Sequence, residues 1–150
     1  MANLTTRRAR PEETATIAKL WNETKRDAYP YLPLEQGRSV EEDLGFFQGH
    51  IEPRCDIWVA SRDDEIVGFM AMDGSYVDRL YIHPRAQRQG AGEALLTEAR
   101  SLSPDGLELH THQENVSARA FYEKHGFVAV RFGVSPPPES VPDVEYHWRP

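Results

Sequence analysis

Residues 79–96 read RLYIHPRAQRQGAGEALL. The β-rich run Tyr76 to Ile82 stops at Pro84, and a short segment of Arg, Gln and Gly follows. Leu95, Leu96, Ala99 and Leu102 then recur at helical spacing, which predicts a helix from about Ala91 to Leu102 with these residues inward. The first N–H groups of a helix have no intrahelical partner, and the helix dipole is positive there. Gly90 and Gly92 let a ligand approach the main chain closely. Such a turn binds phosphate or pyrophosphate. Arg79, Arg85 and Arg88 sit together with no acid between them. A plain strand-to-helix turn with solvated arginines would show the same glycines, so they do not decide alone. No Gly-Lys-Ser/Thr follows, which excludes a Walker loop. The full three-glycine dinucleotide pattern is also missing.

Upstream, Asp56 to Ala60 and Ile66 to Met72 are β-rich runs. Asp63-Asp64 and Asp73-Gly74 separate the three runs, as in hairpins. Earlier still, Pro11, Glu12 and Glu13 suit a first helical turn, followed by Ile17, Leu20, Trp21 and Thr24. Tyr29-Pro30-Tyr31-Leu32-Pro33 breaks that helix. Ser39 with Glu42 makes a capping box ahead of Val40, Leu44, Phe47 and Ile51. Leu4 to Arg8 is a short strand candidate. Downstream, Leu107 to Thr111 reads as a buried strand. Asn115 to His125 reads as a helix capped at Asn115 and ended by Gly126. Phe127 to Val134 and Val144 to Trp148 are final strands around a loop, Ser135 to Pro142. The layout predicts one α+β domain over residues 1–150. It has a mostly antiparallel sheet of about seven strands and one strand–helix–strand crossover that makes two neighbours parallel.

Gln87-Arg88-Gln89-Gly90-Ala91-Gly92 resembles the Q/R-x-x-G-x-G/A signature of the GCN5-related N-acetyltransferases, the GNAT family. LYIHP before it resembles that family's fourth strand. Asn115 to Phe127, NVSARAFYEKHGF, is similar to the second signature, N-x-x-A-x-x-x-Y-x-x-x-G-F. The resemblance implies a GNAT-like fold with four helices and a sheet that splays between its fourth and fifth strands. It implies acetyl-CoA as acyl donor and direct transfer to a primary amine of a small molecule or peptide. It places the pyrophosphate on the main chain of Gln87 to Gly92 and the pantetheine arm along Tyr81, Ile82 and His83. Asn115 would contact the cofactor, and Tyr122 would sit near the thioester sulfur and protonate the thiolate. Family sheets can also pair through C-terminal strands, which would make a homodimer. A non-catalytic acyl-CoA-binding module on the same fold is the competing reading; Asn115 and Tyr122 favour the enzyme.

Amine attack on a thioester needs a neutral nitrogen, while an alkylammonium has a pKa of about 10. A base must therefore act. Tyr76 and Asp78 share one face of the fourth strand by period two. Asp78 is the first candidate base with Tyr76 beside it, against the alternative that Asp78 pairs with an arginine such as Arg79. His110 and His112 share a face of the fifth strand and are candidates for substrate binding or proton relay; no third partner has the spacing of a metal site. Glu114 is an outside candidate for the base. Tyr29, Tyr31 and Leu32 are candidates to shape the acceptor pocket.

The chain has 150 residues, 39% hydrophobic and 27% charged, which is ordinary globular composition. No apolar run nears the roughly 20 residues of a membrane span, and MANLTTRRARPEE lacks the apolar core of a secretory signal. Cys55 is the only cysteine, so no internal disulfide forms, and a reducing cytoplasm is expected. Seventeen basic against 24 acidic side chains give −7, which argues against nucleic acid and anionic membranes as partners.

Overall fold

The computed structural model describes residues 3–150; Met1 and Ala2, part of the stretch read above for a signal, lie outside the described residues. Seven strands make one sheet: β1 (Leu4–Arg8), β2 (Asp56–Arg62), β3 (Glu65–Asp73), β4 (Tyr76–Ile82), β5 (Leu107–His112), β6 (Val128–Val134) and β7 (Pro142–Trp148). Their order is β1-β2-β3-β4-β5-β7-β6. The helices are α1 (Thr14–Ala28), the single turn α2 (Pro33–Gln36), α3 (Val40–Phe46), α4 (Ala91–Leu102) and α5 (Val116–Lys124). A 3-10 turn, Pro11–Glu13, leads into α1, and a π turn, Phe47–Ile51, extends α3.

Local chemistry explains these boundaries. Asp63 and Asp64 both adopt positive φ, 51° and 67°, so β2 and β3 are joined by a turn whose twist matches the strands. Ser39 Oγ accepts from the Glu42 N–H at 3.0 Å, and Glu42 Oε1 accepts from the Ser39 N–H at 3.0 Å, which closes the capping box. Asn115 caps α5 by accepting from the Ala118 N–H at 3.2 Å.

The sheet is covered on both faces. Leu95, Leu96 and Ala99 of α4, with Tyr122 of α5, pack against Val67, Met70, Leu107 and Leu109. On the other face Ile17, Leu20 and Trp21 of α1 pack with Phe47 and Ile51 against Val59 and Phe69. Leu102 departs from its expected inward place: as the last residue of α4 it is 48% exposed. At the far edge, β6 exposes Val128, Val130, Phe132 and Val134.

Beneath α3 lies an ionic knot. Asp43, fully buried, accepts from Arg38 Nε at 2.6 Å, Asn22 Nδ2 at 2.9 Å and Lys25 Nζ at 3.0 Å. Lys25 also pairs with Glu35 at 2.6 Å and lies 3.8 Å from the Trp21 ring centroid. Burial alone would raise the Asp43 pKa, but the hydrogen bonds from Arg38, Asn22 and Lys25 outweigh it and hold the carboxyl below its ordinary range. The knot ties α1, α2 and α3 together. Asp43→Ala breaks three hydrogen bonds at once and leaves the buried Lys25 ammonium with Glu35 alone, so a loss of about 3–5 kcal/mol is expected in a denaturant melt.

The pH dependence of stability follows from the same sign. Asp43 and Glu13 both have depressed folded pKa values; Arg7 hydrogen bonds draw Glu13 down to about 2. Their stabilisation is complete above the unfolded carboxyl range and disappears as acidification passes through the folded values. Chemical denaturation from pH 6 downward checks this: Glu13→Gln should flatten the loss seen between about 4.5 and about 2.

Candidate active site

β4 and β5 run parallel, yet their ladder contains a single aligned pair, Tyr76 and Glu108. Beyond it the strands part, and a cleft of about 1850 Å³ opens between their ends. One wall comes from the start of α4 and from α5: Gln87, Arg88, Gly90, Gly92, Asn115, Phe121 and Tyr122. The facing wall includes Tyr29, Tyr81, His112 and Glu139.

The α4 entrance has the form of an anion cradle. Gly90 is the N-cap at φ 93°, a left-handed conformation, and no side chain caps the helix. Among the described residues, no acceptor takes the N–H groups of Arg88 to Gly92. A Cβ at Gly92 would stand 3.0 Å from Phe121 Cζ, so the absent side chain also lets α5 approach. Gln87 Nε2 donates to the Ile82 carbonyl at 2.9 Å and fixes the loop to the end of β4. These unpaired donors, at the positive end of a 12-residue helix, suit a diphosphate.

The predicted basic cluster is dispersed. Arg85 pairs with Glu65 at 2.8 Å, and Arg79 lies over Trp21 at 5.5 Å on the other face. Arg88, at φ 63°, stays on the cradle. Tyr81 and Ile82 line the cleft, but His83 does not; its Nδ1 accepts from the Arg85 N–H at 3.2 Å and its Nε2 lies 3.3 Å from Glu23. Gln89 and Ala91 line a small hollow beside Leu4 instead of the cleft.

Tyr122 is 7% exposed and packs on Phe127 and Tyr146. Burial first, then Tyr81 and Tyr76, push its phenol far above the ordinary value, so it stays protonated at neutral pH. Asp78 is held by Arg79 at 3.2 Å and Arg54 at 3.3 Å. Arg54 occupies its Oδ1 and Arg79 its Oδ2, so the pairing alternative is the arrangement found at Asp78. Tyr76 bonds His110 Nδ1 at 2.8 Å, and burial followed by Asp78 pushes its hydroxyl up to about 12. His110 and His112 both face the cleft; among the described residues no cluster could hold a metal ion.

Two features escaped the sequence reading. Tyr29 hydrogen-bonds Tyr81 through their hydroxyls at 3.0 Å and bridges the opening of the sheet. Glu139, inside the proline-rich loop between β6 and β7, bonds His112 Nε2 at 2.9 Å. Its only sequence signal was that it is the one acid in Ser135 to Pro142. Cys55 is buried, and that burial pushes its thiol up.

A diphosphate cradle at the rim of a parted pair of parallel strands fits a coenzyme A-dependent acyltransferase. A family model described as an acetyltransferase (GNAT) domain matches residues 53–129. The peptidyl-lysine N-acetyltransferase YjaB of Salmonella typhimurium is 34% identical over 81% of this chain and 81% of its own length. The solution structure of apo-form YjaB from Escherichia coli matches with a TM-score of 0.77 and 26% identity over 97% of each chain. The PaiA N-acetyltransferase from Thermoplasma acidophilum, solved with coenzyme A, has a TM-score of 0.74 at 18% identity over 99% of each chain, a likeness of fold. The chain belongs to the GNAT family: it is an acyl-CoA-dependent N-acetyltransferase, and acetyl-CoA is its acyl donor.

Gly92→Val places methyl groups against Phe121 and into the cradle wall. Calorimetric titration should show acetyl-CoA affinity falling about tenfold or more, equivalent to roughly 1.4 kcal/mol. Unchanged affinity in a folded variant would remove this wall from the binding site.

Proposed function

We propose that the chain transfers the acetyl group of acetyl-CoA directly to a primary amine, the side chain of a lysine in a peptide, with Tyr122 as general acid. The observation that carries this reading is the placement of Tyr122 on α5, lining the same cleft as the main-chain cradle. Acetyl-CoA supplies an already activated acyl group, so no acyl-enzyme is required. Arg88 to Gly92 hold the diphosphate by main-chain donors, Tyr81 and Ile82 line the path of the pantetheine arm, and Asn115 contacts the cofactor while capping α5. The main chain of β4 donates to the thioester oxygen as charge develops there. Tyr122 gives its proton to the departing sulfur.

The acceptor class rests on two supports. The relative at 34% identity is named a peptidyl-lysine N-acetyltransferase. The wall facing the cradle is also aromatic and acidic, with Tyr29, Glu139, Asp143 and Glu145, which suits an alkylammonium arriving from solvent. Tyr29, His110 and His112 shape that side of the pocket, and Tyr31, beside the lining residues, holds His112 through its hydroxyl. Asp78, tied to Arg54 and Arg79, positions these guanidinium groups.

Thiol release from acetyl-CoA, measured against a panel of lysine peptides, polyamines and amino acids, tests the proposal. A lysine peptide should give the highest kcat/KM. Preference for a free polyamine would move the acceptor to small molecules, and acetyl-CoA binding without transfer to any amine would leave a binding module. Tyr122→Phe keeps the packing and removes the proton. It should lower kcat about 10²-fold with acetyl-CoA affinity unchanged.

A further inference from the structure

Two segments far apart in the chain converge on His112, the last residue of β5. Tyr31, from the loop after α1, places its hydroxyl 2.8 Å from Nδ1. Glu139, from the loop between β6 and β7, places Oε1 2.9 Å from Nε2. The Tyr29 ring lies tilted against the imidazole, 4.7 Å between ring centroids. The His112 side chain is 11% exposed.

Donor counting orients the chain. An ionised carboxylate only accepts, so Nε2 carries the hydrogen of neutral His112. Nδ1 then holds the lone pair, and the Tyr31 hydroxyl donates to it. The His112 hydrogen bond is the largest effect on Glu139, ahead of burial, and keeps its carboxyl below the ordinary range and therefore charged. The result is a hydroxyl aimed at a basic nitrogen whose far side rests on an anion. The other histidine is built more loosely: His110 is 42% exposed, and Glu145, 3.7 Å away, is already bonded to His147 at 2.6 Å.

We propose that Tyr31, His112 and Glu139 form the relay that takes the proton from the acceptor ammonium. The half-buried Tyr31 hydroxyl is its entry. As an ammonium N–H bond breaks, its proton goes to the Tyr31 oxygen, and the Tyr31 proton passes to Nδ1 of His112. Tyr31 is left unchanged, the amine becomes neutral, and the imidazolium rests on Glu139 until it releases the proton to solvent. Tyr122 gives its proton to the departing sulfur, and the nitrogen's second proton, lost as the amide forms, restores the Tyr122 phenol. This inference rests on the acetyl-transfer reading above.

The groups around His112 are few. Tyr29 and Tyr31 face it from the loop after α1, and Tyr81 of β4 stands behind Tyr29. Glu139 comes from the β6–β7 loop, and Arg79 acts on Glu139 through its charge. Asp143 lies opposite on β7, and Glu114, two residues on from His112, acts on Tyr31.

The test is the pH profile of kcat/KM for a lysine peptide, with acetyl-CoA affinity measured alongside. His112→Gln and Tyr31→Phe should each lower kcat about 10²-fold while cofactor affinity holds. Glu139→Gln should move the acidic limb to lower pH, because the imidazolium loses its counter-ion. NMR titration of the His112 ring should shift in the same direction without any turnover. A purely structural role would scale the whole profile and leave its limb in place, although the ring titration would still move with the lost carboxylate. An unmoved limb in Glu139→Gln, or His112→Gln keeping its rate within about threefold of the parent enzyme, overturns the relay alone. A parent enzyme that transfers to no amine overturns the acetyl-transfer reading and the relay with it. If His112→Gln fails to fold, the loop variant Glu139→Gln still decides.

Discussion

One aligned pair between β4 and β5 is the constraint on which the site depends. Parallel strands normally share an evenly spaced ladder. Here the ladder stops as soon as it begins, so the downstream parts of both strands face an opening. The α4 crossover must then start at the rim of that opening, and its unpaired N–H groups cannot avoid facing it. A bulge between Ala71 and Met72, where β3 pairs with β4, breaks the register beside Asp78. It brings Asp78 toward Arg54, while Val77 stays in the core under α4. The anion cradle and the acidic, aromatic wall are thus two sides of one interruption in the sheet.

The helical layer opposite α4 serves the same opening. Tyr29 and Tyr31 sit on a loop with two prolines, and a loop of that kind does not hold a phenol in place by itself. The buried knot of Asp43, Lys25, Arg38 and Glu35 anchors both ends of this loop, because it fastens α1 to α2 and α3. Removing one member would unbalance the charges left in a dry place, which makes the arrangement rigid even where its net stabilisation is modest.

Much of this was legible in the residues. Hairpin turns at Asp63-Asp64 and Asp73-Gly74, the cap pair Ser39 and Glu42, and the α4 span from Ala91 to Leu102 all rest on local chemistry and match the structure closely. Family membership followed from two local signatures. What escaped depends on distance. Arg79 and Arg85 neighbour Arg88 in the chain, but strand alternation and the turn at Pro84 send them elsewhere. Asp78 sits on the face that period two assigns, yet nothing local reveals that Arg54 reaches across to it. Glu139 meets His112 only because β6 and β7 return the chain to β5, a contact over 27 residues with no periodic trace. Chain pattern shows which face a side chain takes; it does not show its partner.

The exposed edge strand β6 bears on how variants should be interpreted. Its sequence, VAVRFGV, is a short β-prone run with a single charge, and an edge offers free main-chain groups to any passing strand. Arg131 interrupts that run, and it also lines the cleft and lies 3.6 Å from Glu145. One guanidinium thus guards colloidal behaviour and borders the catalytic space. Diminished turnover after altering it would have two origins, clumping or a changed pocket, and light scattering would have to accompany the kinetics before either was blamed.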